Sequence, residues 1–105
     1  MDDAVVVMVT ASSEEEAEAM GKKLVEERLI ACANCLPGVR SIFVWQGELC
    51  DESEVLLIMK SQRSYVSRIV QRVKELHSYD VPEIIALPII DGSEDYLKWI
   101  AESLS

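Results

Sequence analysis

Two long apolar segments joined by Gln46-Gly47 dominate the sequence. They occupy about residues 31–45 and 48–61 and are rich in β-branched and aromatic side chains, which predicts a β-hairpin that reverses at Gln46-Gly47. The first segment places Val39, Phe43 and Trp45 on one face and Ile42 and Val44 on the other. Both faces are therefore apolar, whereas a hairpin with one face in water would carry polar residues at every second position.

This hairpin is also too long for a chain of 105 residues. About thirteen residues per arm make a ribbon on the order of 43 Å, whereas a compact chain of this size is roughly 33 Å across. Each aliphatic side chain left in water would forfeit roughly 1.5–3 kcal/mol. We therefore expect other copies of the chain to cover the excess ribbon. The alternative is a hairpin that bends at Pro37-Gly38 or at residues 51–53 and folds back onto its own core.

Composition restricts the class of protein. The chain is long enough for one domain, residues 1–105, and half of its residues are hydrophobic. A formal charge of −9 argues against binding to nucleic acid phosphates. The acidic start, Met1-Asp2-Asp3, does not resemble a signal peptide, and no apolar run has the length of a membrane span. We expect a cytoplasmic protein that does not associate with membranes.

The three cysteines do not form a recognisable site. Their odd number prevents complete internal pairing, and reduced thiols are the expectation for a cytoplasmic chain. Cys32 and Cys35 form a CxxC motif, but in an extended segment they would lie about 10 Å apart on opposite faces. Only Cys50 and His77 remain as further zinc ligands. A redox or zinc site is therefore the less favoured interpretation.

The remaining elements complete a recognisable order. Residues 4–10 predict a central strand buried on both faces, and a helix follows to about Leu29, with Ser13 and Glu16 as a capping box. Ser61 or Ser64 is expected to cap a second helix that ends before Val81. Residues 83–89 predict a fourth strand in which Pro88 implies either an edge position or a strand end, and Ser93 is expected to cap a last helix. The core faces of the helices are predicted to be Ala17, Met20, Leu24 and Val25; Val66, Ile69, Val70, Val73 and either Leu76 or His77; and Leu97, Ile100, Ala101 and Leu104.

This order, βαββαβ with an added C-terminal helix, predicts an α+β fold of the ferredoxin-like type. Two helices cover one face of an antiparallel sheet, and the long hairpin joins the second and third strands. Neither of these two helices covers the opposite face of the sheet. A neighbouring copy is again expected there.

The only histidine lies in a short stretch, residues 77–83, together with a tyrosine and two carboxylates. Histidine can act as a general base or as a metal ligand near neutral pH. A packed aromatic ring beside a rigid Pro82 turn is the favoured interpretation, followed by a ligand site and then by a catalytic site. The sequence contains no nucleophile elbow, Gly-rich phosphate loop or HExxH helix.

Motifs along nearly the whole chain resemble the CutA family of divalent-cation tolerance proteins. They are Arg28-Leu29-x-Ala31-Cys32-x-Asn34, Pro37-Gly38, Ser41-Ile42, Trp45-x-Gly47, Ser53-Glu54-Val55, Lys60, His77-x-Tyr79-x-Val81-Pro82-Glu83-Ile84, Leu87-Pro88, Gly92 and Tyr96-Leu97-x-Trp99. The resemblance implies a ferredoxin-like subunit in a homotrimer, similar to the PII signalling trimers, in which the hairpin of residues 31–61 wraps around its neighbours.

The resemblance also implies a non-enzymatic function in the response to divalent metal ions. The copper-ligand positions of the family correspond to Val9, Leu76 and His77 here, so only His77 retains a ligand side chain. We predict that His77, helped by Glu83, binds a divalent cation such as Cu²⁺ weakly. We expect no organic cofactor.

Four further residues shared with the family form the predicted ligand-binding set: Trp45, Lys60, Tyr79 and Glu83. In a trimer they would converge in clefts between subunits and hold a small ligand or a metal ion. The alternative is structural, with Lys60 and Glu83 as a subunit-bridging ion pair and Trp45 in the interface core.

Two other functions remain open as hypotheses. A PII-like sensor or scaffold would bind an anionic metabolite in the cleft through Lys60. An acylphosphatase-like hydrolase is disfavoured because residues 10–13 replace the Gly-rich anion-binding loop that such an enzyme needs after its first strand.

Overall fold

A four-stranded antiparallel sheet organises the chain, for which the computed structural model describes residues 3–105. Its elements are β1 (Ala4–Ala11), α1 (Glu14–Glu26), β2 (Cys32–Trp45), β3 (Glu48–Gln62), one 3-10 turn (Arg63–Tyr65), α2 (Val66–Leu76), β4 (Ile84–Pro88) and α3 (Glu94–Ser103). The strands lie in the order β2-β3-β1-β4. This is the predicted ferredoxin-like α+β arrangement with an added C-terminal helix. Among the described residues, no helix is both long and apolar enough to span a membrane.

The central strand β1 pairs with β3 on one side and β4 on the other. Val5, Val7 and Val9 point to the helix-covered face and are buried. The alternate residues, such as Val6 and Met8, are only partly buried. In a single chain, the predicted burial of β1 is therefore complete only on the helix-covered face.

The core lies between the sheet and the helices α1 and α2. Its fully buried helical side chains include Ala17 and Leu24 from α1 and Ile69 and Val73 from α2, as the helical periodicity predicts. Val25 is 40% exposed, so its predicted core position is wrong.

Helix α1 ends at Glu26, three residues earlier than predicted. Arg28 adopts a left-handed conformation with φ of 57°, and the Leu29 N–H donates a 3.0 Å hydrogen bond back to the Leu24 carbonyl. A left-handed residue that closes such a bond terminates a helix.

The predicted serine cap of α2 is wrong for Ser61. Strand β3 continues to Gln62 because it pairs with the start of β1, and Ser61 is therefore buried within the strand. Its hydroxyl donates a 2.7 Å hydrogen bond to the Leu29 carbonyl. Ser64 lies in the 3-10 turn, and the residue that precedes α2, Tyr65, makes no side-chain capping bond.

The C-terminal third agrees closely with the sequence prediction. Strand β4 is an edge strand, and Pro88 pairs there with Val5, where the missing N–H of proline is tolerated. Ser93 caps α3 by accepting the Tyr96 N–H at 3.5 Å. Ile100 is fully buried, but Ala101 is exposed rather than on the core face.

The hairpin of β2 and β3 projects beyond the sheet, so it does not fold back onto its own core. Strand β1 pairs with β3 only from residue 55 onward, so residues 39–54 of the hairpin pair only with each other. A bulge interrupts the register between Leu36 and Val39, where Gly38 has a φ of +76°. The molecule is 44 Å long and only 22–25 Å across. Exposed apolar side chains of this ribbon are Ile42, Phe43, Val44, Trp45 and Leu49.

The sheet face opposite α1 and α2, which we call the bare face, forms a second apolar surface that α3 covers only near one end. Alternation places on it Val6, Met8, Leu36, Leu56, Ile58, Ile85 and Leu87. Leu36, Ile85 and Leu87 are each more than 40% exposed. Near one end, the hydroxyl of Tyr96 from α3 lies 3.6 Å from the thiol of Cys32.

Candidate functional site: an acidic cleft beside the hairpin

A cleft of about 610 Å³ separates the projecting part of the hairpin from the loop of residues 77–83. Ser41, Phe43 and Trp45 alternate along one face of β2, and their neighbours on β3 carry Cys50 and Glu52 to the same face. The other wall is formed by the loop. The lining residues are Thr10, Ser41, Ile42, Phe43, Trp45, Cys50, Glu52, Glu54, Tyr79, Asp80, Val81 and Glu83.

His77 fixes the start of this loop. The Tyr79 backbone N–H donates to His77 Nδ1 at 3.0 Å, so Nδ1 is the acceptor and Nε2 carries the proton. Nε2 then donates a 2.7 Å hydrogen bond to the Thr10 carbonyl. The ring is 9% exposed, and its centroid lies 4.7 Å from that of Tyr79. Both nitrogens are occupied, so a metal ion can bind His77 only after one of these bonds is broken.

Tyr79 connects the loop to the hairpin. Its hydroxyl donates a 2.7 Å hydrogen bond to Oε2 of Glu54, which is 6% exposed. Burial first, and then this bond and the negative charge of Glu54, raise the pKa of Tyr79 well above its ordinary value. Tyr79 therefore remains a neutral donor to the Glu54 carboxylate at physiological pH.

Glu16 holds the same loop from the helix side. Its carboxylate accepts the Ser78 N–H at 2.9 Å and the Ser12 N–H at 3.1 Å, and the Ser13 hydroxyl accepts the Glu16 N–H at 3.1 Å. The predicted capping box is therefore only half formed, because the Glu16 carboxylate bonds to Ser12 and Ser78 and not to the backbone N–H of Ser13. Burial alone would raise the pKa of Glu16, but the hydrogen bonds from Ser78 and Ser12 lower it to about 2.

The structure brings together three of the four predicted ligand-binding residues. Trp45, Tyr79 and Glu83 line the cleft. Lys60 does not, because it lies opposite Val6 in the sheet and donates to Asn34, near the other end of β1. Within one chain, Glu83 precedes the Ile84 that pairs with Val9, so it lies several residues away from Lys60 along the sheet.

Sequence reasoning missed the acidic character of this site. Glu52, Glu54 and Asp80 join Glu83 in the lining, and of the residues that the structure describes no lysine or arginine lines it. The signal for Glu54 was a carboxylate directly before the apolar run of β3, residues 55–59. Only the fold shows that the loop carries the Tyr79 hydroxyl to Glu54.

The donor set does not form a compact metal cage within one chain. Across residues 3–105, no group of three or more histidine, cysteine, aspartate or glutamate side chains has the arrangement of a metal site. Cys50 donates toward the Glu48 carbonyl at 3.7 Å, and Cys32, Cys35 and Cys50 are all free thiols. What the cleft offers is concentrated negative charge beside aromatic surface.

Known proteins with the same fold and sequence pattern identify the family. A sequence model of the family described as CutA1 divalent ion tolerance protein matches residues 5–103. The divalent-cation tolerance protein CutA of Thermus thermophilus is 49% identical over 98 residues, which are 93% of this chain and 95% of that protein.

Solved structures agree with this match. A divalent cation tolerance protein (Cut A1) of Thermus thermophilus has a TM-score of 0.94 at 47% identity, covering 97% of this chain and 99% of the other. CutA1 of Oryza sativa has a TM-score of 0.95 at 38% identity, covering 98% of this chain and 94% of the other. The chain described here therefore belongs to the CutA1 family of divalent ion tolerance proteins.

Proposed function

We propose that this chain is a non-enzymatic, homotrimeric protein of divalent-cation tolerance whose acidic cleft binds a divalent cation weakly. The observation that carries the proposal is the negative charge of the side chains that line the cleft. Glu52, Glu54, Asp80 and Glu83 line it, and no basic side chain among the described residues offsets them there. A concave site with one sign of charge and low-dielectric walls raises the local concentration of counter-ions.

The cation is held by charge and by few direct ligands, because the described chain presents no three-ligand cluster. Carboxylates suit hard divalent ions, and Cys50 adds one soft ligand for Cu²⁺. His77 contributes only if it gives up its hydrogen bond to Thr10 or to Tyr79. Weak binding follows from this arrangement.

Two uncovered apolar surfaces support the trimer. The ribbon exposes Ile42 and Val44 at 67% each and Leu49 at 75%, and the bare face exposes Ile85 and Leu87 at nearly half. Isolated exposed apolar residues are normal, but contiguous patches mark interfaces. A ribbon that places its Ile42, Val44 and Leu49 face on the bare face of the next copy would cover both of these surfaces within a closed ring, and would leave the Phe43 and Trp45 face toward the cleft.

The same charges disfavour the alternative of an anionic metabolite. Lys60, the residue on which that hypothesis depends, lies outside the cleft and is engaged with Asn34. The absence of catalytic activity and the cytoplasmic location remain part of this proposal. The first of these is consistent with relatives that are named for tolerance rather than for a reaction.

Calorimetric titration with Mn²⁺ and with Cu²⁺ tests the cleft. We expect saturable binding to the wild type and a large loss of binding in Glu52→Gln/Glu83→Gln, because carboxylates supply most of the attraction. The matched control is Glu18→Gln/Glu102→Gln, which removes the same charge from exposed positions of α1 and α3 and is expected to bind as the wild type does.

Identical isotherms for the wild type and Glu52→Gln/Glu83→Gln would contradict a metal site in the cleft. His77→Ala separates the histidine from the carboxylates. An unchanged Cu²⁺ isotherm in that variant would exclude His77 as a ligand and leave the carboxylates as the site.

A further inference from the structure

The cleft has both aromatic and acidic walls, whereas a bare metal ion requires only the ligand atoms of the acidic side chains. Phe43 is 39% exposed and Trp45 51% exposed, and both rings line the cleft beside four carboxylates. A volume of about 610 Å³ exceeds what an ion needs and suits a small organic molecule. Ring faces attract cations that have shed part of their water.

The surroundings of Glu54 indicate that a ligand of the cleft carries positive charge. This carboxylate is 6% exposed, and within residues 3–105 its one hydrogen-bond donor is the neutral hydroxyl of Tyr79, which contacts Oε2 only. The salt bridges of the described chain join Arg40 to Asp51 and Arg72 to Glu27 and Glu75, so none involves Glu54. A buried carboxylate with a single neutral donor gains strongly from a cationic donor.

The geometry favours an ammonium group over a metal ion as that donor. A divalent metal requires several oxygen or nitrogen ligands that converge on one point, and this chain presents no such cluster among its described residues. An ammonium or guanidinium group needs only one or two carboxylates, and its hydrocarbon body can lie against the rings of Phe43 and Trp45.

We propose that the cleft binds small organic amines, with the cationic group at Glu54 and Glu83 and the apolar body against Phe43 and Trp45. This inference rests on the proposed function only in that both use the same acidic cleft. A divalent cation and an organic amine would then compete for it.

The test uses 2-phenylethylamine, with 2-phenylethanol as the neutral control of the same shape. The chain contains two tryptophans, so a Trp99→Phe background leaves Trp45 as the fluorescent reporter in the cleft. We expect a saturable change in Trp45 emission with the amine, which weakens as salt is added. The alcohol is expected to bind at least about tenfold more weakly.

A glutamine substitution of Glu54 and a matched control, both in the same background, test whether the carboxylate holds the amine. Glu54→Gln retains an acceptor for Tyr79 and is expected to weaken amine binding about tenfold, whereas Glu18→Gln leaves it unchanged. If Glu54→Gln does not fold, Glu52→Gln/Glu83→Gln, at exposed positions, carries the same expectation. Equal binding of amine and alcohol, or wild-type affinity in Glu54→Gln and in Glu52→Gln/Glu83→Gln, would overturn the proposal.

The metal titrations keep this inference distinct from the proposed function. Saturable Mn²⁺ binding without any response to the amine overturns the amine site alone. The same result is expected if a neighbouring copy fills the cleft. Amine binding that Mn²⁺ does not displace supports the amine site and counts against the metal site. Mutual displacement supports both.

Discussion

The carboxylate of Glu16, in the first turn of α1, accepts a 2.9 Å hydrogen bond from the backbone N–H of Ser78, at the start of the loop that walls the cleft. Together with the bond from His77 to the Thr10 carbonyl, it fastens the loop to both the helix layer and the sheet. A helix-capping residue therefore also positions a wall of the candidate site.

The first prediction concerns this pair and its dependence on pH. The pKa of Glu16 is lowered from 4.5 to about 2 in the folded chain, so the unfolded chain binds a proton at a higher pH than the folded chain does. Its contribution is therefore present above about pH 4.5 and is lost as the pH falls toward about 2. We expect Glu16→Gln to lower the free energy of unfolding by roughly 1–2 kcal/mol at pH 7, after allowance for solvent screening.

Urea unfolding at pH 7 and at pH 3 measures this difference. The difference between wild type and Glu16→Gln is expected to be smaller at pH 3, and Glu15→Gln, in the same helical turn, is the control. A difference that stays constant between the two pH values would show that the carboxylate charge is not responsible.

The second prediction concerns the bond between Tyr79 and Glu54. Tyr79→Phe removes the donor and leaves a carboxylate that is 6% exposed without that bond, so we expect a loss of about 1–3 kcal/mol in the free energy of unfolding. A double-mutant cycle with Glu54→Leu isolates the pair. If the bond matters, the double variant loses less than the sum of the two single losses. Simple additivity would argue against it.

The third prediction tests the assembly by light scattering. Three copies of the 11.8 kDa chain correspond to about 35 kDa. Leu49→Ser on the ribbon and Leu87→Lys on the bare face are expected to reduce this mass, because each exposes or charges a surface that another copy covers. Val25→Ser, an apolar residue that is 40% exposed on α1, is the matched control. A folded wild-type particle of 11.8 kDa would contradict the trimer.

The fourth prediction concerns the hairpin turn. Gln46 and Gly47 both have positive φ, 52° and 80°, which is the pattern of a type I′ turn. Asparagine tolerates this conformation at the first position better than glutamine, so Gln46→Asn is expected to stabilise the chain by about 0.5 kcal/mol. Gly47→Ala is expected to destabilise it by about 1 kcal/mol. Thermal unfolding of both variants measures the two opposite shifts, and shifts of the same sign would contradict the turn assignment.

The sequence allowed the fold to be predicted where local pattern and chain reversal decide it. The alternation in β3, the Gln46-Gly47 turn, Pro88 at an edge and the Ser93 cap all follow from local chemistry. The errors arose where pairing at a distance overrode local preference. Ser61 could cap a helix, but pairing with Val5 kept it in a strand.

The candidate site was predictable only in part for the same reason. Trp45, Lys60, Tyr79 and Glu83 were predicted as one set from the family resemblance, but the place of Lys60 in a single chain depends on strand register and could not be read from the residue itself. The role of Glu54 depends on a contact with Tyr79 that spans 25 positions of sequence. Short motifs do not encode such a contact.

The three attachments of the loop also affect how fast the cleft can fill. Because Thr10, Glu16 and Glu54 each hold the loop by hydrogen bonds, an incoming ligand meets a wall that is already in place. Encounter would then be governed by diffusion and long-range charge, without a slow rearrangement before capture. In stopped-flow mixing, the observed rate should rise linearly with ligand concentration and show no plateau.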